Sequence, residues 1–78
     1  MQYSMVINKR WCDNEYVLCI YTWEEVVDWL KNKLDTYATS VLVEKWSSNG
    51  RCIGKKVVRM SNFHEVVTSP TDKVLKNV

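Results

Sequence analysis

A helix start at Thr22 constrains the fold more than any other feature of this 78-residue sequence. The Thr22 hydroxyl is placed to accept a hydrogen bond from the backbone N–H of Glu25, whose carboxylate can reach back to the N–H of Thr22. Tyr21 and Val26 occupy the two positions of a hydrophobic staple around this capping box. The pattern predicts one helix at the centre of the fold, and the staple sets the angle at which the chain enters it.

The predicted helix extends from residue 23 to about residue 37 and has one apolar stripe. At about 100° per residue, the apolar side chains fall within a stripe roughly 100° wide, as expected for a helix that covers a core. This stripe consists of Trp23, Val26, Val27, Leu30, Leu34 and Tyr37.

Trp29 lies outside this stripe, between Glu25 and Lys33, on a side of the helix that also carries Asp28. A tryptophan surrounded by charged side chains is typical of an interface anchor. The sequence therefore predicts a protein-binding site formed by Trp29, Glu25, Asp28 and Lys33. The alternative is a structural role, in which Trp29 covers the sheet edge or the C-terminal segment.

Alternating apolar and polar residues predict a β-hairpin before the helix, with strands over residues 3–11 and 16–21. A two-residue turn at 13–14 sets Ile7 opposite Ile20. Trp11 and Trp46 are expected to pack at the ends of the sheet. The core side of this hairpin then carries Met5, Ile7, Leu18 and Ile20, together with Tyr3 and Trp11.

A second hairpin is predicted after the helix, with strands over residues 41–46 and from 52 to about 60. Asn49 and Gly50 between them suit the two positive-φ positions of a type I′ turn. Side chains of opposite charge stabilise a sheet when they lie opposite each other on neighbouring strands, so the pair of Glu44 with Lys55 supports the register that this turn implies. Its pairs are Trp46 with Ile53, Glu44 with Lys55, and Leu42 with Val57.

The C-terminal part allows more than one interpretation. Residues 63–68 are β-prone and are a candidate fifth strand. Ser69 and Pro70 are typical of a helix start, so residues 69–78 form either a short helix or a frayed end. The sequence therefore predicts a single α+β domain over residues 1–78, in which antiparallel hairpins in the order β-β-α-β-β form a sheet with the helix on one face.

Several classes of function are not expected, because the sequence lacks the groups that they need. The chain has one histidine, no glycine-rich phosphate loop and no Gly-x-Ser-x-Gly motif, so we expect no enzyme and no cofactor. No apolar run approaches the roughly 20 residues of a membrane helix. No signal peptide is recognisable, so we expect a cytoplasmic protein with reduced thiols and no membrane partner. A metal site is not expected, because close paired spacing is missing from Cys12, Cys19, Cys52 and His64.

The net charge is only +2, but its distribution is uneven. Residues 41–78 carry seven Lys or Arg against three Asp or Glu. Basic residues near exposed aromatic rings suit single-stranded nucleic acid, because the rings stack on bases and the cations follow phosphates. The alternative function is therefore a single-stranded nucleic-acid-binding module that uses Lys45, Trp46, Arg51, Lys55 and Arg59.

Small size, missing catalytic groups and the excess of lysine over arginine, eight to three, resemble small accessory proteins of phages and mobile elements. Inhibitors of host defence systems, such as anti-CRISPR proteins, are one such group. The first functional hypothesis is a non-enzymatic protein-binding module that docks on a larger macromolecule as an inhibitor or accessory protein. A homodimer is compatible with this hypothesis and with the nucleic-acid alternative.

Overall fold

The computed structural model describes residues 2–78, and across them five strands form one antiparallel sheet with two helices on one of its faces. The elements are β1 (Gln2–Lys9), β2 (Glu15–Ile20), α1 (Trp23–Asp28), β3 (Ala38–Trp46), β4 (Cys52–Val58), α2 (Phe63–Val67) and β5 (Lys76–Asn77). The strand order is β2-β1-β3-β4-β5, and every neighbouring pair is antiparallel. This arrangement confirms the predicted α+β fold class.

The helix begins where the sequence predicts but ends earlier. Thr22 has an extended backbone, and its Oγ1 accepts a hydrogen bond from the N–H of Glu25 at 3.1 Å. A wider π-helical turn, Trp29–Lys33, continues α1, and Leu34 then takes an extended conformation with ψ 141°. The predicted extension to Tyr37 is wrong because the chain leaves the helix at this point, and Tyr37 is exposed.

The first hairpin is closed by a five-residue loop rather than by the predicted two-residue turn, since β1 ends at Lys9 and β2 begins at Glu15. Within this loop Trp11 takes a left-handed backbone with φ 70°. Bulky residues rarely adopt that conformation. Trp11 is 88% exposed, so the prediction that it packs at the end of the sheet is wrong.

A β-bulge in β2 changes which side chains of this strand face the core. Cys19 has φ 62°, and the strand register shifts next to it. Val17 and Ile20 both contact the core although they are three residues apart, so Leu18 lies on the opposite face. Ile20 pairs with Tyr3, four residues earlier in β1 than predicted. The predicted register is wrong because alternation alone does not reveal an inserted residue.

The second hairpin was predicted more accurately. Two of its three predicted pairs are present, Glu44–Lys55 and Leu42–Val57. Trp46 pairs with Cys52, one residue earlier than predicted. Gly50 has φ 84° while Asn49 does not have a positive φ, and the N–H of Gly50 donates to the carbonyl of Ser47 at 3.0 Å. The N–H of Ser47 donates to the carbonyl of Arg51 at 2.8 Å, so the hydrogen-bonded loop is residues 48–50 with glycine at its left-handed position, not the predicted type I′ turn.

Residues 63–67 form α2, so the predicted fifth strand at this position is wrong. Phe63, Val66 and Val67 all contact the core. Their spacing is that of the buried side of a helix. Burial of this side outweighs the β-propensity of valine, which depends strongly on context.

The C-terminal segment is neither a regular helix nor a frayed end. A single 3-10 turn, Asp72–Val74, is capped by Thr71 rather than by Ser69. Leu75 is buried, and β5 then pairs with β4 at the edge of the sheet. The segment is therefore a structural part of the sheet.

Asp72 ties this segment to the two central strands. Its Oδ2 accepts a hydrogen bond from the Tyr3 hydroxyl at 2.5 Å and lies 2.7 Å from Lys45 Nζ. Burial alone raises the pKa of Asp72, but the hydrogen bonds from Lys45 and Tyr3 outweigh it and hold the pKa below its ordinary value. Burial, together with the hydrogen bond to Asp72, raises the pKa of the Tyr3 phenol.

The core lies between the helices and the face of the sheet beneath them, which we call the covered face. Trp23 packs against Tyr3 with ring centres 6.0 Å apart, and its indole N–H donates to the carbonyl of Ser69 at 2.9 Å. Tyr21, predicted as part of a staple, is exposed. The buried apolar side chains are Tyr3, Met5, Ile7, Ile20, Trp23, Val26, Leu30, Val41, Val43, Val58, Val66 and Leu75.

Candidate interaction surfaces

The four residues predicted as a protein-binding site lie near one another on the helix. Trp29 is half-buried against the core, and Lys33 Nζ lies 5.4 Å from its ring centre, in a cation–π contact. Lys33 Nζ also lies 3.4 Å from Asp28, whose pKa is lowered by a hydrogen bond from Asn32 and by Lys33. Glu25 is exposed one turn earlier. Trp29 therefore offers a partner only part of its ring.

The five residues predicted to bind nucleic acid are not brought together. Lys45 lies on the covered face, 2.7 Å from Asp72, whereas its strand neighbour Trp46 lies on the opposite face and donates its indole N–H to Ser4 Oγ at 2.8 Å. Lys55 is exposed on that same opposite face, in register with Glu44. The remaining two residues are exposed beyond opposite ends of β4, namely Arg51 and Arg59.

A different set of exposed residues meets at the loop end of the first hairpin. We call it the aromatic tip, and it consists of Arg10, Trp11 and Tyr37. The N–H of Arg10 donates to the carbonyl of Tyr37 at 2.8 Å, which joins the hairpin loop to the segment after the helix. Sequence reasoning missed this site because it placed Trp11 and Tyr37 in the core. Two signals were available: Lys9 interrupts the apolar alternation, and Arg10 stands beside Trp11 near the predicted end of the hairpin.

Lys9 holds the base of the aromatic tip. Its Nζ lies 2.7 Å from Asp35 and 2.8 Å from Glu15, so one ammonium group links the end of β1, the start of β2 and the segment after the helix. The hydrogen bonds to Asp35 and Glu15 raise the pKa of Lys9. Asp35 also accepts the N–H of Tyr37 at 2.9 Å. Ion pairs and a hydrogen bond therefore connect the residues at the base of the tip.

The face of the sheet opposite the helices carries an apolar row. Val6 pairs with Tyr16 on one side and with Leu42 on the other, and Leu42 pairs with Val57. Tyr16 is 66% exposed, Leu18 beside the row is 67% exposed and Val57 is 37% exposed. We call this surface the open face, formed by Val6, Tyr16, Leu18, Leu42 and Val57.

A groove of about 400 Å³ opens where the π-helical turn after α1, the start of β3, the end of β4 and the start of α2 meet. Most of its lining is apolar, and Arg59 and His64 contribute its basic groups. Met60 is almost fully exposed at its rim. The volume lies at the lower end of the range of roughly 300–1,000 Å³ for small-molecule sites.

Metal and membrane features can be stated for residues 2–78. No group of three His, Cys, Asp or Glu side chains there could hold a metal ion. Nor does any helix in that range have the length and apolar character needed to cross a membrane.

Comparisons of this chain with models of protein families, with curated proteins and with solved structures found no match. Arguments about function therefore start from the geometry and chemistry of the surfaces described above.

Proposed function

We propose that this protein is a non-enzymatic protein-binding module that docks on a larger macromolecule with its aromatic tip. The observation that carries the proposal is the exposure of Trp11, which leaves 88% of its surface accessible to solvent. Tryptophan, tyrosine and arginine are the residues that most often dominate the binding energy of protein interfaces. The tip combines all three types.

The contacts beneath the tip support the same proposal. Association costs less free energy when the contact residues are already ordered, because fewer side chains and loops lose conformational freedom. Lys9 bridges Asp35 and Glu15 beneath the tip, and the Arg10 amide is bonded to the carbonyl of Tyr37. The residues on either side of the tip are thus joined by two ion pairs and a backbone hydrogen bond.

The mode of action that fits such a module is occlusion. A small chain that covers a functional surface of a larger protein inhibits it without supplying a catalytic group. This is the role we infer by resemblance to small accessory proteins of phages and mobile elements, acting in the cytoplasm. The surface around Trp29, with Glu25, Asp28 and Lys33, is the competing location for the contact.

The proposal is tested by capture followed by affinity measurement. The tagged full chain is used to capture a partner from host lysate, and mass spectrometry identifies it. The affinity of the purified partner is then measured for the wild type, Trp11→Ala and Trp29→Ala. Loss of a central interface tryptophan typically costs 2 kcal/mol or more, so we expect Trp11→Ala to weaken binding by about 30-fold or more.

Met60→Ala is the matched control, because Met60 is equally exposed but lies outside the tip. It should bind as the wild type does. Weakened binding with Trp29→Ala alone would transfer the site to the helix, and unchanged binding in both tryptophan variants would refute both locations.

Single-stranded nucleic-acid binding is the second candidate, and the position of Arg10 beside two exposed aromatic rings favours it. Stacking on Trp11 and Tyr37 with phosphate contacts from Arg10 would give weak binding that falls steeply with salt. Titration of a fluorescent single-stranded oligonucleotide at two salt concentrations tests it. Absence of measurable affinity, or affinity independent of salt, removes this candidate.

A further inference from the structure

The open face is an apolar surface that the fold of one chain leaves uncovered. Its row of four side chains crosses four neighbouring strands, and Leu18 extends it along β2. Contiguous apolar patches on small soluble domains usually mark interaction sites. We propose that the open face binds a second copy of this chain, so that two sheets stack face to face in a symmetric dimer. This proposal is independent of the aromatic tip.

The geometry of the row suits a second sheet. Strands lie about 4.8 Å apart, so the row from β2 to β4 extends over roughly 14 Å. Two sheets that stack at about 10 Å let side chains from both inner faces interdigitate. The face is thus wide enough to contact several strands of a partner rather than one peptide.

The area of the face is also adequate. Four strands at about 4.8 Å and the eight residues of β1 at about 3.4 Å rise give roughly 500 Å² of flat surface before side-chain relief is counted. A standard interface takes about 800 Å² of accessible surface from each partner, which is about 15% of the 5332 Å² of this chain. The flat face therefore supplies about 60% of the area that a standard interface takes from each partner, and the relief of its side chains adds to this.

The charges of the face point to a copy of itself rather than to a charged partner. On this face, the strands from β2 to β4 carry one acidic and one basic side chain, Glu44 and Lys55, in register with each other. Lys76 on β5 lies at the rim, where its charge stays in water. A second copy can therefore approach without an excess of like charge, whereas a strongly acidic or basic partner would meet no complementary field.

The serine beneath the open face does not oppose burial. Ser4 is buried between the strands, and its Oγ accepts the indole N–H of Trp46 at 2.8 Å. Within residues 2–78, no buried side-chain nitrogen or oxygen lacks a hydrogen-bond partner. Covering the face with a second sheet would thus leave this serine satisfied.

Sedimentation equilibrium of the full chain tests the proposal, in reductant because Cys12 and Cys19 are exposed thiols. We expect reversible dimerisation at micromolar concentrations. Leu18→Lys and Val57→Lys place a charge on both copies at once, so each should weaken the dimer at least about tenfold. Both positions are already accessible to solvent, and circular dichroism confirms that the variants fold.

Met60→Lys is the matched control, since it adds the same charge at an exposed apolar residue off the sheet. It should dimerise like the wild type. A wild type that remains monomeric up to about 1 mM would overturn the proposal, because an affinity weaker than this is negligible. So would a dimer that survives both open-face substitutions, or one that only Met60→Lys disrupts.

Discussion

The two faces of the sheet are built from the same strands and differ in what covers them. Met5 and Val43 on the covered face have no accessible surface, whereas Tyr16 and Leu18 on the open face are about two-thirds exposed. All four are apolar side chains in strands. The difference shows that an apolar strand residue contributes most to folding where a second layer covers it, and that its exposed part remains available for a contact between molecules.

The largest expected effect comes from placing a charge on each face in turn. Val43→Asp buries a carboxylate with no partner, so we expect a loss of more than about 4 kcal/mol in the free energy of unfolding. Val57→Asp on the open face should cost about 1 kcal/mol, chiefly through the low β-propensity of aspartate. Urea unfolding, followed by tryptophan fluorescence, measures the loss of unfolding free energy in both variants. Similar losses would show that the two faces contribute equally to stability.

Removal of the Asp72 charge should lower the free energy of unfolding by an intermediate amount. Asp72→Asn weakens the hydrogen bonds to Lys45 and Tyr3, and we expect a loss of about 1–2 kcal/mol after allowance for the partial exposure of the group. Tyr3→Phe removes one of those bonds and keeps the ion pair, so it should cost less. A larger loss in Tyr3→Phe would mean that the ion pair contributes little.

The same carboxylate predicts a pH dependence. The pKa of Asp72 is lower in the folded chain than its ordinary value, so its contribution is complete above about pH 4 and is lost as the pH falls through the folded-state pKa. We therefore expect the acid limb of the stability profile to be shallower in Asp72→Asn than in the wild type. Identical profiles below pH 4 would show that other carboxylates govern acid unfolding.

The smallest effect is expected on the open face itself. Leu18→Ser removes an apolar side chain that is already 67% exposed, so the unfolding free energy of the monomer should change by no more than about 0.5 kcal/mol. The measurement requires protein concentrations well below those at which the chain associates. A loss of 2 kcal/mol or more would place Leu18 in the core of the monomer.

The parts of the fold that sequence reasoning predicted are those with local causes. Thr22 caps the helix through a contact three residues away, and Glu44 and Lys55 pair across a short hairpin. The first hairpin is present, but its predicted register was wrong because the register depends on the bulge at Cys19 and on a five-residue loop, neither of which alters the apolar pattern. The strand predicted over residues 63–68 was wrong, because contacts with residues far away in the sequence decide that residues 63–67 form a helix.

The candidate surfaces were harder to predict, since exposure is a property of the whole fold. Trp11 and Leu18 were assigned to the core from the alternation and from a two-residue turn, and both lie on the surface. Trp29 was singled out by its charged neighbours, yet the π-helical turn and the core cover part of its ring. A pattern identifies which side chains are apolar, but only the arrangement of layers decides which of them remain uncovered.

The bulge at Cys19 has a consequence beyond register. β2 is an edge strand, and a regular edge presents a row of free N–H and C=O groups on which a strand from another molecule can assemble into fibrils. A left-handed residue within that row breaks its regular spacing and increases the local twist. The chain can therefore carry exposed leucine and tyrosine on this strand while remaining protected against open-ended growth along its edge.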